Sequence, residues 1–159
     1  MHRNALFYLV LIFISACATV ETPPPPPAQP VVVRAERAEA LLQTLLALGL
    51  DYRYGGSSHA TGFDCSGLVA HVYQEAWGIR LPRNSLEQSK KGTPVGLADL
   101  EAGDLVFYTT LDRPFSHVGI YVGDGRFVHA PKSGARVRVE SLKSTYWMQR
   151  FNGARRIEL

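Results

Sequence analysis

The chain is poor in cysteine, in net charge and in long apolar runs. It has two cysteines, Cys17 and Cys65, in 159 residues. They lie in segments of different character, so neither a disulfide framework nor a paired-thiolate metal site is read from them. The formal net charge is only +3, and the aromatics do not interleave with basic residues, which argues against a nucleic-acid strip. No apolar stretch reaches the ~20 residues that a membrane-spanning helix needs. No internal repeat is visible. Around the histidines, acidic residues at metal-ligand spacing are missing, so a zinc site is disfavoured and no metal or cofactor is expected.

The N-terminus is a targeting signal by its pattern. Met1-His2-Arg3-Asn4 is a short basic start, Ala5 to Ile14 is apolar, and Ser15-Ala16 supply the small residues of a cleavage site. Ile14-Ser15-Ala16-Cys17 is similar to the bacterial lipobox, in which cleavage precedes a cysteine that is then lipidated. Ala18, not Asp, follows Cys17. By resemblance to lipoprotein sorting rules, this implies the periplasmic face of the outer membrane rather than inner-membrane retention. Cleavage would leave roughly 143 residues, one domain by size, carrying 16 basic and 14 acidic residues once Arg3 is gone.

Residues 17–33 form the next segment. Pro23 to Pro27 are consecutive prolines and Pro30 follows, which forces polyproline II and forbids a helix. Extended from Ala18 to Val33, this tether spans about 50 Å. The division expected is therefore 1–16 signal, 17–33 lipidated Cys17 and tether, and 34–159 a single folded domain.

Within the domain, helices precede strands. Arg34 to Leu48 is helix-forming, with Leu41, Leu42, Leu45, Leu46 and Leu48 as its apolar residues and Gly49 ending it. Asp64 is a good N-cap for a helix to Trp77, with Leu68, Val69, Val72, Tyr73 and Ala76 on one face and Gly78 as the stop. Asn84 and Ser85 cap a short third helix. Strands are predicted at Leu105 to Thr109, His117 to Val122, Arg126 to His129, Val137 to Glu140 and Arg155 to Leu159. This order predicts an α+β fold with a meandering antiparallel sheet.

Cys65 falls in the first turn of the second helix, where free amides and the macrodipole favour a thiolate. A lone cysteine with histidines downstream is a candidate nucleophile. The competing reading is an inert cysteine packed as a small hydrophobe. His117 and His129 flank the turn Gly123-Asp124-Gly125. A two-residue loop would place them on opposite faces. A three-residue loop sets Gly119 opposite His129 and makes His117 its diagonal neighbour, ~7–8 Å away by Cα, with Gly119 leaving space between the rings. That register permits a Cys65–His117–His129 triad, with His117 as base and His129 orienting it.

From Leu50 onward the chain resembles the NlpC/p60 family of cell-wall peptidases. The matching residues are Tyr52-Arg53-Tyr54-Gly55-Gly56, Asp64-Cys65-Ser66-Gly67-Leu68-Val69, Leu81-Pro82-Arg83, Gly103-Asp104-Leu105-Val106-Phe107, Ser116-His117-Val118-Gly119-Ile120-Tyr121 and Phe127-Val128-His129-Ala130. The resemblance is strongest to short outer-membrane lipoproteins. It implies a papain-like fold and a cysteine peptidase acting on peptidoglycan stem peptides, with Cys65 as nucleophile, His117 as base and His129 as third polar residue. It also implies that Tyr52, with Tyr54 as its rival, donates to the oxyanion or substrate, and that Asp64, Ser66 and Arg83 contact substrate. Asp64 is also explained by capping alone, and Arg83 by solvation. The bond expected is the D-alanyl–diaminopimelate crosslink, with the γ-D-glutamyl–diaminopimelate link as the other choice. An amidase or acyltransferase on the same fold and a non-catalytic envelope-binding module are the alternatives. The loop from Gly56 to Cys65 is about one residue longer than the family pattern, and its His59 is expected in solvent.

Overall fold

The structure, a computed structural model, describes residues 31–159, with side chains from residue 37 onward. The signal segment, Cys17 and the prolines of the tether lie outside the described residues. Helix α1 (Val31–Leu46) starts earlier than the predicted Arg34. Among the described residues, no helix is long and apolar enough to cross a membrane.

Helix α1 packs on the fold through small residues. Ala40, Thr44 and Ala47, spaced four and three apart, are fully buried. The leucines read as its apolar stripe do not form the buried face: Leu42, Leu45 and Leu46 are about half exposed. Close approach to helix α2 (Cys65–Trp77) favours the short side chains. Arg37 also ties α1 down, donating to the Ala102 carbonyl and pairing with Glu101 and Asp104.

Helix α2 follows its pattern closely. Asp64 caps it, its carboxylate accepting from the Gly67 amide at 2.6 Å. Gly78 closes it in the left-handed conformation, its N–H reaching the Gln74 carbonyl while that of Ile79 reaches Tyr73. Leu68, Val69, Val72 and Tyr73 are buried. Helix α3 (Ser85–Gln88) is capped by Asn84, as expected.

Two short strands, β1 (Ser57–Ser58) and β2 (Gly62–Phe63), make a small hairpin of the loop before α2. The main sheet contains β3 (Thr93–Val95), β4 (Leu105–Tyr108), β5 (His117–Gly123), β6 (Arg126–His129), β7 (Arg138–Ser141) and β8 (Phe151–Arg156). All its pairings are antiparallel. The spatial order is β3-β8-β4-β5-β6-β7. The meander β4 to β7 agrees with the sequence reading. Strand β8, predicted at Arg155 to Leu159, lies earlier in the chain and inserts between β3 and β4.

The sheet separates two apolar clusters. Leu105, Phe107, Val118, Ile120 and Val128 face α2. Val106, Tyr108 and Phe127 face the other way, against Trp147 of helix α4 (Thr145–Met148). The β4 and β8 ends are bound by a buried carboxylate: Asp104, 1% exposed, receives Arg156 at 2.7 and 2.9 Å.

Candidate active site

The hairpin register that places the histidines comes from a different device than expected. Gly123 pairs with Arg126 across a two-residue turn, in which Asp124 and Gly125 both have positive φ (52° and 69°). A bulge between Tyr121 and Gly123 then shifts the register, so that Tyr121 faces Phe127 and Ile120 faces Val128. Continued one step, this pairing sets Gly119 opposite His129, and His117 shares its face. The outcome is that of the three-residue loop, reached through a tight turn plus one bulged residue. The expected gap at Gly119 is not empty either. A Cβ there would lie 2.6 Å from the Phe127 ring and 2.9 Å from the Val128 carbonyl oxygen.

His117 and His129 are buried and bonded to each other, with Nε2 of His117 2.7 Å from Nδ1 of His129. This contact uses one nitrogen of His117 and leaves Nδ1 for other work. When the Nε2–H donates, Nδ1 keeps its lone pair and can act as a base. Burial pulls the His117 imidazole down to about 4. Burial, His117 and the Arg138 guanidinium together pull His129 down to about 2. Both rings are therefore neutral at physiological pH.

Cys65 stands at the start of α2 and packs against the cluster between α2 and the sheet. Its sulfur is met by the backbone amides of Val118, Ser66 and Cys65 itself. Val118 directly follows His117, so the strand that carries the candidate base also supplies an amide to the sulfur. The helix-start amides that favour a thiolate are opposed here. Burial pushes the thiol up to about 11, and the Asp64 carboxylate adds to the rise, outweighing the three amides.

Trp147 was missed by the sequence reading. It is 6% exposed and stacks on His117, with centroids 5.7 Å apart and planes at 22°. It meets His129 edge-on at 4.9 Å. Trp147 sits in a one-turn helix with no periodicity to announce it, and the only signal was the pair Tyr146-Trp147 in an otherwise polar stretch. The loop entering β5 is braced by Ser116, whose hydroxyl accepts from the Thr110 and Leu111 amides. The Asn152 side chain accepts from Phe115 N–H and the Thr109 hydroxyl.

Asp64, Ser66 and Arg83 are brought together, largely by bonding one another. Besides capping α2, Asp64 accepts from the Gly55 amide at 2.9 Å. Arg83 reaches Asp64 at 3.4 Å and the carbonyls of Gly55 and Gly56 at 3.2 and 3.4 Å. The Ser66 hydroxyl lies 3.1 Å from Asp64 and 3.0 Å from the Arg83 carbonyl. Gly67 makes this knot feasible, since a Cβ there would collide with the Gly56 carbonyl. Tyr52 is half-buried and packs beside Cys65. Burial first, and then the neighbouring acidic groups of Cys65, Asp64 and Tyr54, hold its phenol above the ordinary range. Tyr54 is 87% exposed, which leaves Tyr52 as the tyrosine at the thiol. His59 is exposed but not free in solvent: it packs edge-on against Phe63 and His71.

Among the described residues, no three His, Cys, Asp or Glu side chains are grouped to hold a metal ion.

The NlpC/P60 family model matches residues 49–156. Murein DD-endopeptidase MepH of Escherichia coli is 41% identical over 121 residues, covering 74% of this chain and 45% of that protein. Gamma-DL-glutamyl hydrolase of Bacillus subtilis is 39% identical over 130 residues, covering 81% of this chain and 29% of that protein. The chain thus spans less than half the length of these two curated relatives. A solved structure from Staphylococcus aureus, described as similar to a lipoprotein of the NLP/P60 family, superposes with a TM-score of 0.71 at 36% identity, over 79% of this chain and 42% of that one. With the family match over residues 49–156, a cysteine at a helix start and a histidine pair on the adjoining antiparallel sheet, this chain belongs to the NlpC/P60 family.

Proposed function

We propose that the protein hydrolyses an amide bond in peptidoglycan stem peptides, with Cys65 as nucleophile, His117 as base and His129 as the residue that orients it. The observation that carries this reading is the 2.7 Å contact between His117 Nε2 and His129 Nδ1, on the strand whose next amide meets the Cys65 sulfur. As the sulfur attacks the carbonyl, its proton moves to His117 Nδ1. The oxyanion is received by the Cys65 amide and the Tyr52 hydroxyl. The imidazolium then protonates the leaving amine, and water resolves the thioester. Because thiol and base start neutral, no ion pair has to be buried before substrate arrives. Asp64, Ser66 and Arg83 form the rim on the acyl side.

The preferred bond is the D-alanyl–diaminopimelate crosslink, supported by the likeness to a murein DD-endopeptidase. The γ-D-glutamyl–diaminopimelate link is the second reading, favoured by the likeness to a gamma-DL-glutamyl hydrolase. The protein is held at the periplasmic face of the outer membrane by lipid on Cys17, and the proline segment serves as its spacer. Mass spectrometry of defined muropeptides digested with the full chain in detergent tests the reaction and identifies the bond. Newly formed amide or ester products would point to a transferase. Equal cleavage by wild type and Cys65→Ser would remove Cys65 from the nucleophile role.

A further inference from the structure

A cleft of about 530 Å³ opens beside His117, away from Tyr52 and the Asp64–Arg83 knot. Its floor is apolar, with Trp147 and Leu111. Its wall carries Lys132, Arg138 and Glu140. Arg138 lies opposite His129 in the β6–β7 register, on the same face of the sheet. Its Nε donates to Glu140 at 2.8 Å, and its two terminal nitrogens have no partner among the described residues. Lys132 is exposed and has no ion pair among the described residues. Two cations against one carboxylate leave the wall with one net positive charge, aimed at a cleft that begins at the base.

The chemistry fixes what lies there. An imidazolium that hands its proton to the leaving amine must face the leaving fragment. Tyr52 lines a separate hollow of about 490 Å³ with Arg53, Gly134 and Arg136. We infer that the cleft beside His117 is the leaving-group subsite, and that Lys132 and Arg138 bind the free carboxylate of the diaminopimelate that departs. The inference rests on the reading of Cys65 and His117 as the peptidase centre. An amine leaving from the crosslink carries its carboxylate on the adjacent carbon. That group would sit within reach of cations around the base, and the diaminopimelate methylenes would lie along Trp147 and Leu111. Guanidinium and ammonium groups favour a carboxylate through charge-assisted hydrogen bonds.

Two crosslinked muropeptides test this, identical except that the acceptor's diaminopimelate carboxylate is free or amidated. The full-length wild type should prefer the free acid by about tenfold or more in kcat/KM, mostly through KM. Arg138→Gln and Lys132→Met should each shrink that preference, and the double variant should treat the two substrates alike. The ratio cancels any effect of Arg138 on His129, and far-ultraviolet circular dichroism checks that the variants fold. A wild type indifferent to amidation, or variants that keep the full preference, would overturn the assignment. If neither muropeptide is cleaved, the peptidase reading fails separately. The subsite is then judged by titrating full-length Cys65→Ala with meso-diaminopimelate and following the Trp147 indole N–H by NMR. A shift lost in Arg138→Gln supports it, and no shift overturns it.

Discussion

The His117 imidazole lies almost flat on the Trp147 indole, 5.7 Å between centroids and 22° between planes. With the Nε2 contact to His129, this fixes both the tilt and the rotation of the ring. A base held on two sides reaches its partner without a search. The stack also keeps water from the ring, in line with its low proton affinity.

Trp147→Ala should therefore damage both fold and activity. Emptying a buried tryptophan site destabilises a protein by about 3–5 kcal/mol, measurable by urea denaturation. Activity of the folded fraction should fall at least tenfold, and Trp147→Phe should recover much of it. Full activity in Trp147→Ala would show that His117 does not need the stack.

Activity should persist into unusually acidic solution. His117 stays neutral until pH falls through about 4, rather than near 6.5. The acid limb of kcat/KM should lie well below the ordinary histidine range. A limb near 6.5 would mean that substrate-free His117 is more solvated than its burial implies.

The same depression makes acid destabilising. Below about pH 6.5 the unfolded histidines take up protons and the buried pair does not. Stability contributed above pH 6.5 is lost as pH falls toward the folded value. For His117, a drop from 6.5 to about 4 corresponds to about 3 kcal/mol. His117→Asn should flatten the fall in Tm between pH 6.5 and 4, and an unchanged slope would assign it elsewhere.

Gly67→Ala should disable the protein although alanine favours helices. The added methyl would strike the Gly56 carbonyl and approach Arg83 Nη1 at 2.9 Å. Forcing the loop from α2 should destabilise by about 1–3 kcal/mol and displace the Asp64 cap. A wild-type melting temperature would show that the Gly55–Gly56 loop yields freely.

Cys17→Ala should leave an unprocessed or soluble species, while wild type fractionates with the outer membrane. Identical distributions would refute the anchor.

The α2 segment was legible because its signals are local. A cap, a 3.6-residue apolar stripe and a terminal glycine all lie within fifteen residues of Asp64. The strand pair carrying His117 and His129 was legible as a hairpin, but its register was not, because the bulge between Tyr121 and Gly123 shifts it by one residue. Helix α1 was legible as a helix but not in its facing. Five leucines outweighed Ala40, Thr44 and Ala47 in any count of hydrophobicity, and only the nearness of α2 made small residues the buried ones.

The sequence by itself determined the helix that presents Cys65 and the strand pair that carries the two histidines, while the face they share followed from a turn and a bulge that only the structure shows. The helix and the strand pair depend on residues close in the chain, through hydrogen-bonding caps, turn geometry and side-chain period. Tertiary structure decided the rest: the insertion of β8 between β3 and β4, the placing of Trp147 over His117, and the burial that pushes the Cys65 thiol up. These depend on groups dozens of residues apart, and on burial. A sulfur at a helix start is drawn toward ionisation by local dipoles, yet the packing around it and the Asp64 charge set the balance the other way.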